Sequence, residues 1–228
     1  MVLQATADLT VTAPINLTIP GQALTLQAGN NLLVQAGGPI TTKGNITLSA
    51  GDSTISKFNP NGGLTLNDTV STSAGTVQLS ANMGGITLNS DVGGTTVNLI
   101  SAGTISQSGG TLSAVTLTGQ STGGVSNSGV TLTDANDVSN LGSFDVNQGS
   151  FTLTSSGVGP GLAISGPVTA EDIAITGAPS ITTTGPRAPR PSPDSMPWKN
   201  EGSSCLIAVT VPVSLPIKTE PILLPEPT

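Results

Sequence analysis

The chain has 228 residues, 36% apolar and only 8% charged, with a net charge of −7. It contains no His, no Tyr, one Trp and three Phe, which excludes a core built around large aromatic side chains, while its apolar alternation excludes simple disorder despite 29 Gly. Up to Gly185 the only basic residues are Lys43 and Lys57, so a phosphate-binding surface has almost nothing to work with and nucleic acid is not an expected partner.

The opening segment, MVLQATADLTVTAPI, lacks a basic start followed by an apolar run, so no signal peptide is expected in this chain. No stretch is long and apolar enough to predict a membrane span. Short apolar-x-apolar triplets begin at Leu9-Thr10-Val11 and Ile15-Asn16-Leu17 and continue through Leu24-Thr25-Leu26, Ile46-Thr47-Leu48, Leu64-Thr65-Leu66, Val77-Gln78-Leu79, Ile86-Thr87-Leu88 and Val97-Asn98-Leu99. They resume at Val115-Thr116-Leu117, Val130-Thr131-Leu132, Phe151-Thr152-Leu153, Leu162-Ala163-Ile164 and Ile173-Ala174-Ile175. In an extended chain successive side chains point to opposite faces, so Leu24, Leu26 and Ala28 share an inward face with Thr25 and Gln27 outside. The same grammar places Ile46, Leu48 and Ala50 inward, and then Val77, Leu79 and Ala81. Gly29, Gly51 and Asn82 follow these three segments and suit corners, because both residue types tolerate positive φ. Leu32-Leu33-Val34 fits less well, since Leu33 would face out, and Val97 to Gly103 needs a one-residue slip.

Triplet starts at 24, 46, 64 and 86, and again at 130, 151 and 173, step by about 18 to 22 residues, the period of a repeat in which each unit is one coil. No coil could bury its own apolar face; stacked coils about 4.8 Å apart would share one core and pair their backbones above and below. The expected fold is therefore all-β, a parallel β-solenoid over residues 5–184 of roughly nine coils and ~40 Å. From residue 185 to 228 the text changes to a Pro-rich segment that holds ten of the seventeen prolines, Trp198 and Cys205. Proline removes ladder donors, so this irregular C-terminal tail is expected not to continue the solenoid core and reads as a linker or disordered tail, or as a misread gene end. A single cysteine excludes an intramolecular disulfide framework.

At triplet centres Thr25, Thr47, Thr65, Thr87, Thr116, Thr131 and Thr152 should face outward and stack in columns. Such an array could contact ice or sugar, although Thr is also simply the favoured small polar residue for an exposed strand position. Asn59-Pro60-Asn61-Gly62 reads as an ordinary turn. The same four residues occur in the N-terminal domain that the transporter recognises in bacterial two-partner-secretion exoproteins, but here Lys57 and Gly63 stand where apolar flanks are usual. Asp8, Asp52, Asp68, Asp91, Asp134, Asp137 and Asp145 are scattered singly and fit exposed corners; no calcium-binding Gly-Gly-x-Gly-x-Asp repeat occurs. Asn16, Asn45 and Asn67 head Asn-x-Thr sequons. A polysaccharide lyase or hydrolase on a parallel β-helix would need paired carboxylates, or metal-holding carboxylates with a base. The repeat region has no Arg and no His, and its carboxylates do not recur at one phase, so neither catalytic residues nor cofactors are expected.

The phrase LTLQAGNNLLVQAGGPITTKGNITLSAGD, with GTVQLSANMGGITLNS and VNLISAGTISQSGG, resembles the repeats of filamentous-haemagglutinin-like bacterial exoproteins of the two-partner-secretion type. The resemblance covers roughly residues 5–183. It implies a right-handed parallel β-helix, a secreted or cell-surface setting, a role as shaft or adhesive, an outer-membrane transporter for the parent protein, and contact with host-cell or surface glycans and proteins. Residues 133–151, with Phe144 and Phe151, depart most from the repeat and are the candidate binding flank; a pair of Phe in a solenoid also reads as core filler.

Overall fold

A computed structural model describes residues 1–123, 129–156, 161–177 and 180–183, and the backbone of 207–210. The described residues contain strands and no helix. The first coil is β1 (Val2–Ala5), β2 (Leu9–Val11) and β3 (Ile15–Leu17), and the second β4 (Leu24–Ala28), β5 (Leu32–Val34) and β6 (Ile40–Thr42). The third is β7 (Ile46–Ala50), β8 (Leu64–Leu66) and β9 (Val70–Thr72), followed by β10 (Thr76–Ala81) and β11 (Ile86–Leu88). From there some strands turn corners without a break: β12 (Val92–Ser101), β13 (Ile105–Gln107), β14 (Leu112–Ser121) and β15 (Val130–Val146). The last rungs are β16 (Ser150–Ser155), β17 (Leu162–Ile164), β18 (Val168–Thr169), β19 (Asp172–Thr176), β20 (Ile181–Thr183) and β21 (Ile207–Thr210).

Every pairing is parallel and joins a strand to its counterpart one coil on, as in β1–β4–β7–β10–β12–β14. The chain thus winds a β-solenoid of about eight turns with three faces. Face one carries β1, β4, β7, β10 and the later halves of β12, β14 and β15; face two carries β2, β5, β8, β11, β13, the start of β15, β16 and β19; face three carries β3, β6 and β9 and the starts of β12 and β14.

Like residues stack inside. On face one Leu24, Ile46, Val77, Val97, Leu117 and Leu141 form one inward column, and Ala28, Ala50 and Ala81 another; all nine are buried. Between them runs Leu26–Leu48–Leu79–Leu99–Gly119–Phe144. Gly119 and Phe144 complement each other: a Cβ on Gly119 would meet the Phe144 ring at 2.7 Å and also the Leu99 carbonyl. The missing side chain of one rung is replaced by the large ring of the next, with the ladder bulging between Leu117 and Gly119. Phe144 and Phe151 are buried with ring centroids 4.8 Å apart, so they fill the core between faces one and two.

Several expectations need correction. Triplets 46 and 64 belong to one coil, on faces one and two, because residues 51–63 are an excursion; the matching face-one position after Ile46 is Val77, 31 residues on. No slip occurs in β12: Ser101 takes the inward place of Ala81, and Ile100 faces outward opposite Ser80. The cost of burying that hydroxyl is met locally, since Ser101 Oγ accepts from Gly103 N at 2.9 Å. Leu33 does face out, with no bulge, in register with Thr10 and Thr65. Val115 is 58% exposed because it sits at the corner between faces three and one. Of the three corner residues only Gly51 takes positive φ, at 60°. Gly29 is required for space instead, as a Cβ there would collide with the Thr6 carbonyl.

Residues 207–210, inside the segment expected to stay out of the ladder, lie parallel to β19 in the register Ile173↔Ile207 to Thr176↔Thr210. Trp198 and Cys205, with the remainder of 184–228, lie outside the described residues, as do 124–128, 157–160 and 178–179.

Candidate functional site

The seven threonines face outward but do not form one array. Thr25 and Thr47 are adjacent on face one, and their column then continues as Gln78, Asn98 and Thr118. Thr116 belongs to a second face-one column, Thr76–Thr96–Thr116, which leads to Asn140. The remaining four lie on face two, where Thr65, Thr87, Ser106, Thr131 and Thr152 occupy five successive rungs. Rung spacing makes this a hydroxyl strip of about 19 Å. Leu33 bounds it on one side and Ala174 on the other. Identical triplets in the text thus feed different faces, because the face depends on how many residues precede each corner.

The carboxylates act mostly at corners. Asp8 Oδ1 accepts from Asn30 Nδ2 at 2.6 Å and from the Asn31 backbone at 3.0 Å. Asp68 accepts from Gly37 N at 2.7 Å, and Asp91 from Thr111 N at 2.8 Å. These contacts join neighbouring coils. Asn59-Pro60-Asn61-Gly62 is a β-turn, closed by Gly62 N donating to the Asn59 carbonyl at 3.0 Å, while Asn59 Nδ2 donates to Asn30 Oδ1 at 2.8 Å. Sequon residues Asn45 and Asn67 are exposed, and their Oδ1 atoms accept from Thr76 N at 2.9 Å and Asn89 Nδ2 at 2.8 Å.

Asp52 opens the excursion and organises it. Its Oδ1 accepts from Thr54 N at 2.9 Å and Thr54 Oγ1 at 2.6 Å, and its Oδ2 accepts from Gln27 Nε2 at 2.8 Å. Partial burial, the largest single influence, pushes its pKa up, but hydrogen bonds from the Thr54 hydroxyl and backbone and from Gln27 and Ser49 together outweigh it and hold the carboxyl below its ordinary value.

Two open grooves mark the outside. One, of about 440 Å³, runs over the corner of faces three and one past Ser71, Gly93, Ser113, Asp137 and Val115. The other, of about 290 Å³, lies beside Asp52, Ser49, Ser80, Ile100 and Gln120 on face one. The first arises where outward positions carry small residues, a feature invisible until the register brings Ser71, Gly93 and Ser113 together. Among the described residues no three His, Cys, Asp or Glu side chains lie close enough to hold a metal ion, and no helix is long and apolar enough to cross a membrane.

Sequence reasoning also missed a buried polar pair. Gln107 and Asn136 are both buried and exchange two hydrogen bonds, Gln107 Nε2 to Asn136 Oδ1 at 2.8 Å and Asn136 Nδ2 to Gln107 Oε1 at 2.9 Å. Asn136 Oδ1 also accepts from Leu112 N at 2.9 Å, and its Nδ2 donates to the Leu132 carbonyl at 3.2 Å. The only textual sign is Gln107 in the place of Leu88 one coil earlier.

Comparison with protein-family models, with curated proteins and with solved structures finds no match to this chain.

Proposed function

We propose that this chain is a non-catalytic shaft or adhesive segment of a secreted or cell-surface bacterial exoprotein, of the filamentous-haemagglutinin-like kind that its repeats resemble. The observation that carries this reading is the stacked parallel ladder, whose inward columns repeat from coil to coil and convert chain length into reach. A rod built this way holds a contact surface beyond the cell's own outer layers and needs neither disulfides nor a cofactor to form. Its outward Thr, Ser, Asn and Gln side chains present hydroxyls and amides, the groups that meet glycans and proteins through many weak hydrogen bonds. An outer-membrane transporter acting on the parent protein belongs to the same proposal.

The test pairs localisation with activity. Antibodies raised to the repeats should label intact cells or culture supernatant, and the purified chain should leave a panel of acidic polysaccharides uncut. Strictly cytoplasmic labelling would overturn the exported role. Depolymerisation abolished by replacing one or two of the aspartates would move the protein to the polysaccharide-lyase or hydrolase class.

The five-rung hydroxyl strip of face two favours a more specific version, in which Thr65, Thr87, Thr131 and Thr152 form the adhesive strip toward sugars or ice. Replacing these four by Val keeps β-branched shape and removes the hydroxyls. Glycan-array binding or ice shaping should then be lost while the melting temperature holds; binding that survives the four changes places the contact elsewhere.

A further inference from the structure

We propose that β21 is a built-in end cap, the tail's own strand occupying the C-terminal edge of face two and so excluding the first coil of a second copy of this chain. A parallel ladder has two ends, and each presents a row of unpaired N–H and C=O groups that templates further pairing. At the end formed by β1, β2 and β3, the strands pair on one side only among the described residues. That end is also apolar: Met1, Val2 and Leu3 are 49%, 62% and 45% exposed.

At the other end β19 is covered. Four residues of β21 pair with it, and Ile207-Ala208-Val209-Thr210 repeats the text of Ile173-Ala174-Ile175-Thr176 almost letter for letter. Register and sequence agree rung for rung. Pro212 and Pro216 follow soon after, residues that bring no N–H to a further rung, and Pro191, Pro193 and Pro197 precede. The phrase Ile207-Ala208-Val209-Thr210 is thus free of proline over four residues, and it sits on the edge of β19.

Uncovered, β19 would accept any parallel strand of the same grammar. Leu9-Thr10-Val11 of another copy is such a strand, since within this chain it stacks in register on Leu32-Leu33-Val34. An end-to-end contact of this kind is heterologous and does not close, so it would build filaments.

The experiment uses the full chain. Replacing Ala208 and Val209 together by Pro removes a ladder donor whichever of the two faces β19. The parent should be monomeric by light scattering across concentration, with slow amide exchange at residues 173–176. In the Ala208→Pro, Val209→Pro chain that exchange should quicken at least tenfold, and the mass should climb with concentration. Adding Thr10→Pro should restore the monomer: Leu9 N is the donor to coil two, through the Asn31 carbonyl, so the Thr10 amide points away from the rod and its loss blocks only the free edge. A chain with Ile207→Gly and Val209→Gly should behave as the proline variant does, without a ring to strain the segment. Unchanged exchange at 173–176, a proline variant as monomeric as the parent, or a parent that already forms filaments would overturn the cap.

Discussion

Leu48 and Thr47 are neighbours in the chain and opposites in the fold. Leu48 is buried between Leu26 and Leu79, whereas Thr47 faces outward between Thr25 and Gln78. Truncating such a buried Leu costs about 2–5 kcal/mol. Leu48→Asp adds a carboxyl that must ionise in an apolar stack or stay protonated, and it should abolish the cooperative melt or lower its midpoint sharply. Thr47→Asp loses only β-propensity, within about 1 kcal/mol, and equal melting temperatures for the two variants would show the faces wrongly assigned. Asp52 supplies a pH-dependent contribution of known sign. Its folded pKa lies below the ordinary value of 3.8, so the stability it adds is fully present above that value and is lost as pH falls through the lowered folded value. The melting temperature should therefore drop on acidification below about pH 4, and Asp52→Asn should flatten that part of the profile; superimposable profiles would remove Asp52 from the account.

Most elements are short because each side of a coil holds only a few residues before a corner, and the corner chemistry decides whether they join, as in β12, β14 and β15, or break. Apolar positions stack without direction, but the Gln107–Asn136 pair fixes β13 and β15 to one another through two hydrogen bonds that exclude other registers. Asn136→Leu leaves the Gln107 amide and Leu112 N short of partners, a loss of about 1–3 kcal/mol per buried group. Gln107→Leu restores the residue type that Leu88 carries on the rung before. The double variant should lose less than the sum of the two singles in urea unfolding, because an orphaned partner is then counted once; strict additivity would mean that the pair does not couple.

For the whole molecule, the rod follows from stacking. Far-UV circular dichroism should show β structure with almost no helical signal, and electron microscopy of the monomer should show a short rod on the order of 40 Å for its described coils. A dominant helical spectrum would contradict the architecture. Coil length is uneven, and the cause is local: the excursion 51–63, held by Asp52 and the Asn59–Gly62 turn, adds residues without adding a rung.

The alternation in Leu24–Ala28, Ile46–Ala50 and Thr76–Ala81 was enough to establish strands, inward and outward faces and a coil-sized period, because side-chain direction in a strand depends only on parity. Parity carries no information about which of three faces a triplet lies on. That is why the seven threonines read as one series and fold as three columns, and why triplets 46 and 64 looked one coil apart. Inter-coil register is a property of residues some 20 to 30 positions distant. Only the tertiary structure could pair Gly119 with Phe144, bury Gln107 beside Asn136, gather Ser71, Gly93 and Ser113 into a groove, and bring Ile207–Thr210 back to the edge of β19. Composition marked the tail as Pro-rich; whether four residues within it find a partner is decided by the edge of β19 that the rod presents to them, since a strand's hydrogen bonds are made with another strand and never with itself.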